Sequence, residues 1–167
     1  MKKIIFAVAL LLGVGNVSAQ NFAEGTSVIQ GGVGLGSDIG LPIGLFYEYG
    51  ISDKLGAGVY AGYASKTETL PFFGDLKHTY TLFGARGNYH SFQSDKMDTY
   101  VGILIGYNAA SLTVSNTPAG LQTPVAASAL VFGGHVGGRY YFSDNLAAFG
   151  EIGYGLGYLN LGLAYKL

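Results

Sequence analysis

Apolar side chains alternate with small or polar ones along most of this sequence, and a period of two residues belongs to β-strands. In the segment 41–51, the odd-numbered residues are Leu, Ile, Leu, Tyr, Tyr and Ile, whereas the even-numbered ones are Pro, Gly, Phe, Glu and Gly. The same alternation occurs in 101–108 and 158–167. Glycine (28 of 167 residues) and tyrosine (13) are abundant, and few windows are rich in the residues that favour helices. The sequence therefore predicts an all-β protein.

Turn signals divide the chain into eight segments. Three short turns share one pattern: "ISDKL" at 51–55, "FQSDKM" at 92–97 and "FSDNL" at 142–146. Their Ser, Asp and Asn side chains suit turns because they bond to nearby backbone. They alternate with four mostly longer connections: 35–41, 65–77, 111–124 and 155–157. This arrangement predicts eight antiparallel up-and-down strands, with both termini at the short-turn end. The predicted strands are Thr26–Leu35, Leu41–Ile51, Leu55–Ala64, Lys77–Ser91, Thr99–Ala110, Val125–Phe142, Leu146–Tyr154 and Tyr158–Leu167.

The apolar parity must face either an enclosed core or the surroundings of the molecule. An eight-stranded barrel has an interior only just wide enough for side chains. Leucine, isoleucine and tyrosine from every strand would overfill that interior, whereas the glycine-rich parity would fit. Most of the predicted strands also reach the ~9–11 residues that a tilted membrane strand needs. The sequence therefore predicts a transmembrane β-barrel, apolar outside and with a polar filled lumen.

The placement of charges agrees with this orientation. Only 11% of the residues are charged, and the four well inside predicted strands (Glu48, Arg86, Arg139 and Glu151) all lie on the glycine-rich parity. Because an unpaired buried charge is costly, we expect the four to form an ion-pair network in the lumen. Arg139 and Glu151 would be diagonal neighbours on adjoining strands and are predicted to pair. Glu48 and Arg86 lie two strands apart, within reach across a narrow barrel.

Aromatic residues of the apolar parity are sorted by height along the predicted strands. One group lies near the long-loop ends: Tyr63, Tyr107 and Tyr154. The other lies near the short-turn ends: Tyr49, Tyr89, Tyr140, Phe142 and Tyr165. Two aromatic belts around an aliphatic band are typical of transmembrane barrels.

Residues 1–19 have the features of a cleaved signal peptide. Two lysines precede an apolar run at 4–14, and "VSA" at 17–19 offers a cleavage site of small residues. The run is shorter than the ~20 residues of a membrane-spanning helix. The remaining chain, 20–167, is predicted to be one outer-membrane β-barrel domain. With 10 acidic and 7 basic residues in that part and no cysteine in the chain, neither nucleic acid binding nor thiol chemistry is expected.

The closing sequence "GEIGYGLGYLNLGLAYKL" and the eight alternating strands resemble known proteins. The architecture is similar to small eight-stranded outer-membrane barrels of the OmpA-type membrane domain. The closing sequence resembles that of the Bacteroidetes outer-membrane β-barrel domain family, whose members usually end in an aromatic residue, commonly Phe. This chain departs from that habit, ending in Leu167 with Tyr165 two positions before. The resemblance implies a Gram-negative outer membrane, with long loops outside and the short turns and both N and C termini in the periplasm.

Motifs for cofactor or metal chemistry are weak. "GGVGLG" at 31–36 superficially resembles a phosphate-binding loop, but such a loop needs a following helix, and a strand follows here. No nucleotide or other cofactor is therefore expected. A metal site is not expected either, because the three histidines are dispersed and cysteine is absent. His90 is predicted at the periplasmic end and His135 in the lumen.

Only His78 is predicted near the external rim, with Ser65 and Asp75 close to it in the sequence. Some small outer-membrane barrels are lipid-modifying acyl hydrolases or acyltransferases that use a histidine and a serine there. A catalytic triad must be assembled by geometry, and these three residues are only loosely clustered. We therefore expect a non-enzymatic barrel with no catalytic residues, and a rim-located lipid A acyl hydrolase or acyltransferase is the alternative.

The loop sequence "TETLPFFGDLKH" at 67–78 places two adjacent phenylalanines, Phe72 and Phe73, in a segment predicted to face outward. Exposed paired aromatics often mark a contact site, and the alternative is that they fold over the barrel mouth. The expected partners are outer-membrane lipid, lipopolysaccharide and a larger outer-membrane protein complex. The expected role is envelope structure, adhesion or association with such a complex.

Overall fold

A computed structural model of the chain describes residues 21–70, 74–115 and 125–167. They form a closed antiparallel barrel in which each strand pairs with the next and the last strand pairs with the first. The prediction of an eight-stranded up-and-down barrel is confirmed. The strands are β1 (Ser27–Leu35), β2 (Ile43–Gly50), β3 (Leu55–Leu70), β4 (Gly74–Gln93), β5 (Met97–Ser115), β6 (Val125–Tyr141), β7 (Leu146–Gly153) and β8 (Leu159–Lys166).

Alternation along the strands separates an apolar outer surface from a buried interior. Ile103, Leu130 and Ile152 point outward and are 73%, 68% and 69% exposed, whereas Phe46 and Tyr60 point inward and are buried. A continuous apolar exterior suits hydrocarbon, and a closed barrel satisfies its backbone hydrogen bonds without water. The described part of the chain contains no helix long and apolar enough to cross a membrane.

The three short turns share one local geometry, which explains their common sequence. In each, a serine hydroxyl accepts a hydrogen bond from the backbone N–H three residues later, at 3.2 Å. The pairs are Ser52 with Leu55, Ser94 with Met97, and Ser143 with Leu146. A side chain that bonds back to the main chain in this way stabilises the reversal. These turns hold the lower ends of the strands in tight hairpins.

Three strands extend further than the sequence predicted. β3 continues to Leu70, β4 begins at Gly74 and β5 continues to Ser115, so much of the expected loops at 65–77 and 111–124 is strand. Together with the start of β6 they form a sheet that rises above the other half of the barrel. We call this sheet the external wall, after the side of the membrane on which the sequence-based prediction places it; its described side chains belong to 64–69, 75–82, 108–113 and 128–131.

The polarity of the two faces is reversed in the external wall. The outward face carries hydroxyls and charges, in directly paired rows of Ser65, Thr79 and Ser111, then Thr67, Lys77 and Thr113. The inward face carries mostly apolar side chains: Ala64, Leu76, Tyr80, Leu82, Ala110, Leu112 and Val131. Outward serine and threonine suit water rather than lipid. The reversal marks the height at which the strands leave the apolar band, just above Tyr63 and Tyr107.

Candidate functional site: the filled lumen and the external rim

The four charges inside strands all point into the lumen and are at most 5% exposed. Arg86 donates to Glu151, with Nη2 and Oε2 2.7 Å apart. Arg139 forms ion pairs with Glu48 and with Asp98, the latter at 2.9 Å. Charge-assisted bonds of this kind are the stronger class of hydrogen bond, and each guanidinium has a carboxylate partner.

The partners differ from the pairs that strand counting suggested. Arg139 contacts Glu48 instead of Glu151, and Arg86 contacts Glu151 instead of Glu48. Glu48 and Arg86 do lie in one hydrogen-bonded row, through Gly58. Because strands tilt by ~35–45° in a barrel, such a row climbs around the wall. Side chains that meet across the lumen therefore come from different rows.

A histidine completes the lower part of the cluster. His90 Nδ1 lies 2.6 Å from Asp98 Oδ1, and its Nε2 lies 3.2 Å from Glu48 Oε1. Carboxylate oxygens accept hydrogen bonds, so both ring nitrogens must donate, which requires the imidazolium form. With His90 charged, the cluster contains three cations: His90, Arg86 and Arg139. They balance the three carboxylates of Glu48, Asp98 and Glu151. The cluster is then neutral as a unit.

Neutral polar and aromatic side chains fill the space around the charges. The Tyr100 hydroxyl donates to Glu151 at 3.1 Å, and Arg139 lies over the Tyr100 ring at 4.8 Å. Arg139 Nε also donates to Gln30 Oε1 at 2.6 Å. Arg86 donates to His135 Nε2 at 2.7 Å. These contacts fix the two guanidinium groups in position.

Several members of the network were missed from the sequence. Asp98 lies directly opposite Arg139 in the pairing of β5 with β6, but the predicted strand began one residue later. Asp98 is the inward-facing position before Tyr100 on β5, so a predicted strand that began one residue earlier would have included it. His90 was placed only by height. Asn88, whose side-chain amide donates to Glu48, carries no charge that would single it out, and the same holds for Gln30 and Tyr100.

The N-terminal segment closes the lower end of the lumen. Phe22 is fully buried and stacks on the His90 ring, with centroids 3.6 Å apart and 10° between planes. Its backbone N–H donates to Gln93 Oε1 at 3.1 Å, and Asn21 donates to the Ser94 carbonyl. We call this arrangement the floor of the lumen. It ties the start of the described chain to the turn between β4 and β5.

A leucine closes the upper end. Leu156, in the connection between β7 and β8, is 3% exposed and reaches into the barrel. It packs over Gly44 of β2 and Gly62 of β3, where an added Cβ would collide with its side chain. A side chain at either position would push the Leu156 methyl groups aside, so glycine lets Leu156 pack directly on the backbone. We call Leu156 and the two glycines the roof of the lumen.

The residues proposed for rim catalysis do not converge. Ser65 pairs with Thr79, whereas His78 pairs with Lys66 one position along, so Ser65 and His78 lie on opposite faces of the sheet. Asp75 accepts a hydrogen bond from Thr69 at 2.6 Å, and His78 stacks on a neighbouring tyrosine ring. A serine and a histidine on opposite faces cannot form a triad.

On the inward face of the external wall, Lys66 and Glu68 form an exposed ion pair at 2.8 Å. The hydrogen bond between them raises the pKa of Lys66 and lowers that of Glu68. Exposed pairs of this kind contribute little to stability.

Phe72 and Phe73 lie outside the described residues. Within the described ranges, no group of three His or acidic side chains is arranged to hold a metal ion.

Sequence comparisons identify no relatives: no protein family matches the chain, and neither does any curated protein. Solved structures do match. The N-terminal β-barrel domain of Pseudomonas aeruginosa OprF superposes with a TM-score of 0.62 at 15% identity, covering 86% of this chain and 98% of that one. The outer-membrane protein OprG of the same species gives 0.57 at 13% identity, covering 90% and 99%.

A de novo designed protein has the same fold. A de novo designed transmembrane β-barrel superposes with a TM-score of 0.55 at 20% identity, covering 86% of this chain and 97% of that one. At these identities the likeness establishes the fold alone. The chain therefore has the fold of small eight-stranded outer-membrane barrels, and the resemblance noted from the sequence is confirmed at the level of architecture.

Proposed function

We propose that the protein is an integral outer-membrane barrel that catalyses no reaction and conducts no ions. Its role is to provide a rigid wall through the membrane and a set of external loops. Through these it contributes to envelope structure, to adhesion, or to association with a larger outer-membrane complex. Outer-membrane lipid and lipopolysaccharide are the proposed surroundings of its apolar face.

The filled lumen is the observation that carries this proposal. The floor (Phe22 on His90), the charge network and the roof (Leu156 over two glycines) follow one another along the barrel axis. Eight strands leave room for little more than side chains. Each layer is buried, so a hydrated ion would have to displace a packed or charge-paired group at every level.

Conductance in planar bilayers tests the sealed lumen. We expect the purified protein to insert without producing current steps at ordinary voltages. The variant Leu156→Ala should also stay silent, because the charge network beneath the roof is intact. Regular current steps from the parent protein would contradict the proposal.

Cysteine labelling tests the orientation, and the chain has no cysteine of its own. Ser37→Cys lies in the connection between β1 and β2, and Asp144→Cys lies in the short turn between β6 and β7. With a membrane-impermeant maleimide, we expect only Ser37→Cys to react on intact cells and both to react after lysis. Labelling of Asp144→Cys alone on intact cells would invert the proposed topology.

A tag inserted after Gly74 extends the same test to the loop that contains Phe72 and Phe73. We expect an antibody to bind that tag on intact cells, as the proposed external contact requires. Substituting both phenylalanines by serine should then weaken adhesion or co-purification without changing the amount of folded barrel. Unchanged contacts would remove these two residues from the proposed function.

The alternative, a lipid A acyl hydrolase or acyltransferase at the rim, finds no support in the register of β3 and β4. Mass spectrometry of lipid A separates the two functions. A modifying enzyme must leave a difference in acyl chains between a deletion strain and its parent, whereas we expect identical lipid A. A difference restored by the parent gene and lost with His78→Ala would favour the enzyme.

A further inference from the structure

A cavity of about 180 Å³ lies at the foot of the external wall, directly above the roof of the lumen. Its lining combines inward-facing wall residues with residues of the two short upper connections. Ile39, Leu82, Val131 and Leu156 are among its apolar lining residues, and Ser37, Asp38 and Asn108 are polar ones. The cavity exceeds the ~150 Å³ at which engineered apolar cavities admit a benzene ring. It is large enough for a small organic ligand.

The inward face of the external wall continues this apolar surface upward. Tyr80 and Leu112 follow Leu82 and Asn108 on the same parity of β4 and β5, and both are only partly buried. The opposite face of the same strands carries serine and threonine. Since both faces lie above the apolar band of the barrel, the inward apolar parity exposes hydrophobic surface to water unless something covers it.

Asn108 lines the cavity together with two other polar residues, Ser37 and Asp38. The side-chain carbonyl oxygen of Asn108 is inaccessible to solvent and has no hydrogen-bond partner among the described residues. Asn108 sits between Leu82 of β4 and Ala129 of β6, neither of which can donate from its side chain. A buried acceptor without a partner is costly. Because Asn108 lines the cavity, a rotation of its side-chain amide would turn this oxygen toward a ligand, and a donor on the ligand would remove that cost.

We propose that this cavity binds a medium-chain amphiphile from the external water: an unbranched alkyl group that carries a hydroxyl or amide N–H. The alkyl group packs against Ile39, Leu82, Val131 and Leu156, and the donor bonds to Asn108. The strand residues of the cavity all face the inside of the ring of strands, so the ligand reaches it from the barrel mouth and not through the lipid-facing surface. This goes beyond the proposed function and rests on its membrane placement.

Tryptophan quenching tests the proposal, because the chain contains no native tryptophan. Tyr80→Trp places one reporter on the inward face beside the cavity, and Thr79→Trp places a matched reporter on the outward face of the same strand. In phospholipid nanodiscs titrated with 8-bromo-1-octanol, we expect saturable quenching for Tyr80→Trp. For Thr79→Trp we expect only the weak, linear quenching of non-specific partition. Equal quenching of the two would overturn the site.

The hydrogen bond is tested with a ligand that lacks the donor. In the Tyr80→Trp protein, 8-bromooctyl methyl ether should bind roughly three- to ten-fold more weakly than the alcohol, the difference expected for one hydrogen bond. Adding Asn108→Leu should abolish that preference, and Val131→Phe should weaken both ligands by filling the cavity. Equal binding of alcohol and ether to the parent reporter would overturn the role of Asn108.

Failure of the membrane placement is distinguishable from failure of the site. Ile103→Trp, in the lipid-facing band of β5, should be quenched by phospholipids brominated on their acyl chains, whereas Thr113→Trp in the external wall should not. If both respond as expected while Tyr80→Trp does not saturate, the ligand site alone is wrong. If Ile103→Trp is not quenched, the proposed function itself fails.

Discussion

Arg86 shows how a single residue is tolerated in the interior of this barrel. It follows "FGA" in an apolar stretch, yet its guanidinium lies in the lumen and the residue is only 5% exposed. Glu151 and His135 accept its hydrogen bonds, and the Phe46 ring lies 5.0 Å beneath it. Its neighbours Ala85 and Gly87 lie on the outward face of the apolar band, so within that band the inward-facing positions are the place for a charge.

The Arg86–Glu151 pair should be measurable as a coupled unit. We expect Arg86→Met and Glu151→Met each to lower the free energy of unfolding by about 3–5 kcal/mol, because each strands a buried charge. The double variant should recover part of that loss, with a coupling of ~1–3 kcal/mol for residues in direct contact. Denaturant unfolding of the protein in detergent or bilayers gives all four values.

The matched control is the cycle between Arg139 and Glu151, which share Tyr100 but form no ion pair. Its coupling should be clearly smaller than that of Arg86 with Glu151. A larger coupling in the control would mean that Glu151 pairs with Arg139 and not with Arg86 in solution. The pairing derived from strand counting would then be restored.

Among the elements, five of the eight strands were predicted closely. β1, β2, β6, β7 and β8 agree with the sequence-based bounds to within two residues at each end. β3, β4 and β5 were predicted too short because their apolar parity reverses above Tyr63 and Tyr107. A strand whose two faces exchange polarity loses the pattern by which it is identified. Serine and threonine at 65–69 and 111–115 then resemble a loop.

The connection between β7 and β8 contributes more to packing than its length suggests. We expect Leu156→Ala to cost about 2–5 kcal/mol, because the roof loses a buried side chain that the two glycines beneath it cannot replace. Leu163→Ala, on the lipid-facing side of β8 and 56% exposed, should cost much less, since lipid fills the space. Unfolding titrations of the two variants under one condition make the comparison.

Similar losses for Leu156→Ala and Leu163→Ala would mean that Leu156 does not close the upper end of the lumen.

The roof could not be predicted from the sequence, because "GLG" at 155–157 has the composition of an ordinary tight turn. Only the closed ring of strands brings that turn over Gly44 and Gly62. The floor escaped prediction for a related reason: Phe22 precedes the first strand and belongs to no alternating pattern.

At the scale of the whole molecule, the band of apolar outward residues and the polar external wall separate a part of the barrel that suits lipid from a part that suits water. Ile103→Arg lies within that band, and we expect it to cost about 2–4 kcal/mol in a bilayer, as arginine does at the midplane of such barrels. Thr113→Arg lies on the same strand and the same face but in the wall, and should stay within about 0.5 kcal/mol of the parent. Reversible unfolding from lipid vesicles measures both.

Equal effects at the two positions would place the wall inside the membrane or the band outside it.

The architecture itself was predictable from parity, because a narrow barrel can accept only one of the two faces inside. The network was predictable only as a set of inward charges. Its partners depend on the tilt of the strands around the lumen, which a row-by-row count along the sequence does not contain.

The shared acceptors of the charge cluster have a consequence for how this protein changes over generations. Glu48 serves Arg139, His90 and Asn88 at once, so no member can be exchanged without leaving another unsatisfied. A substitution that is harmful alone becomes acceptable only after a compensating one. Homologous genes should therefore vary at these positions in concert, in joint replacements, while lipid-facing positions such as Ile103 exchange one apolar residue for another independently.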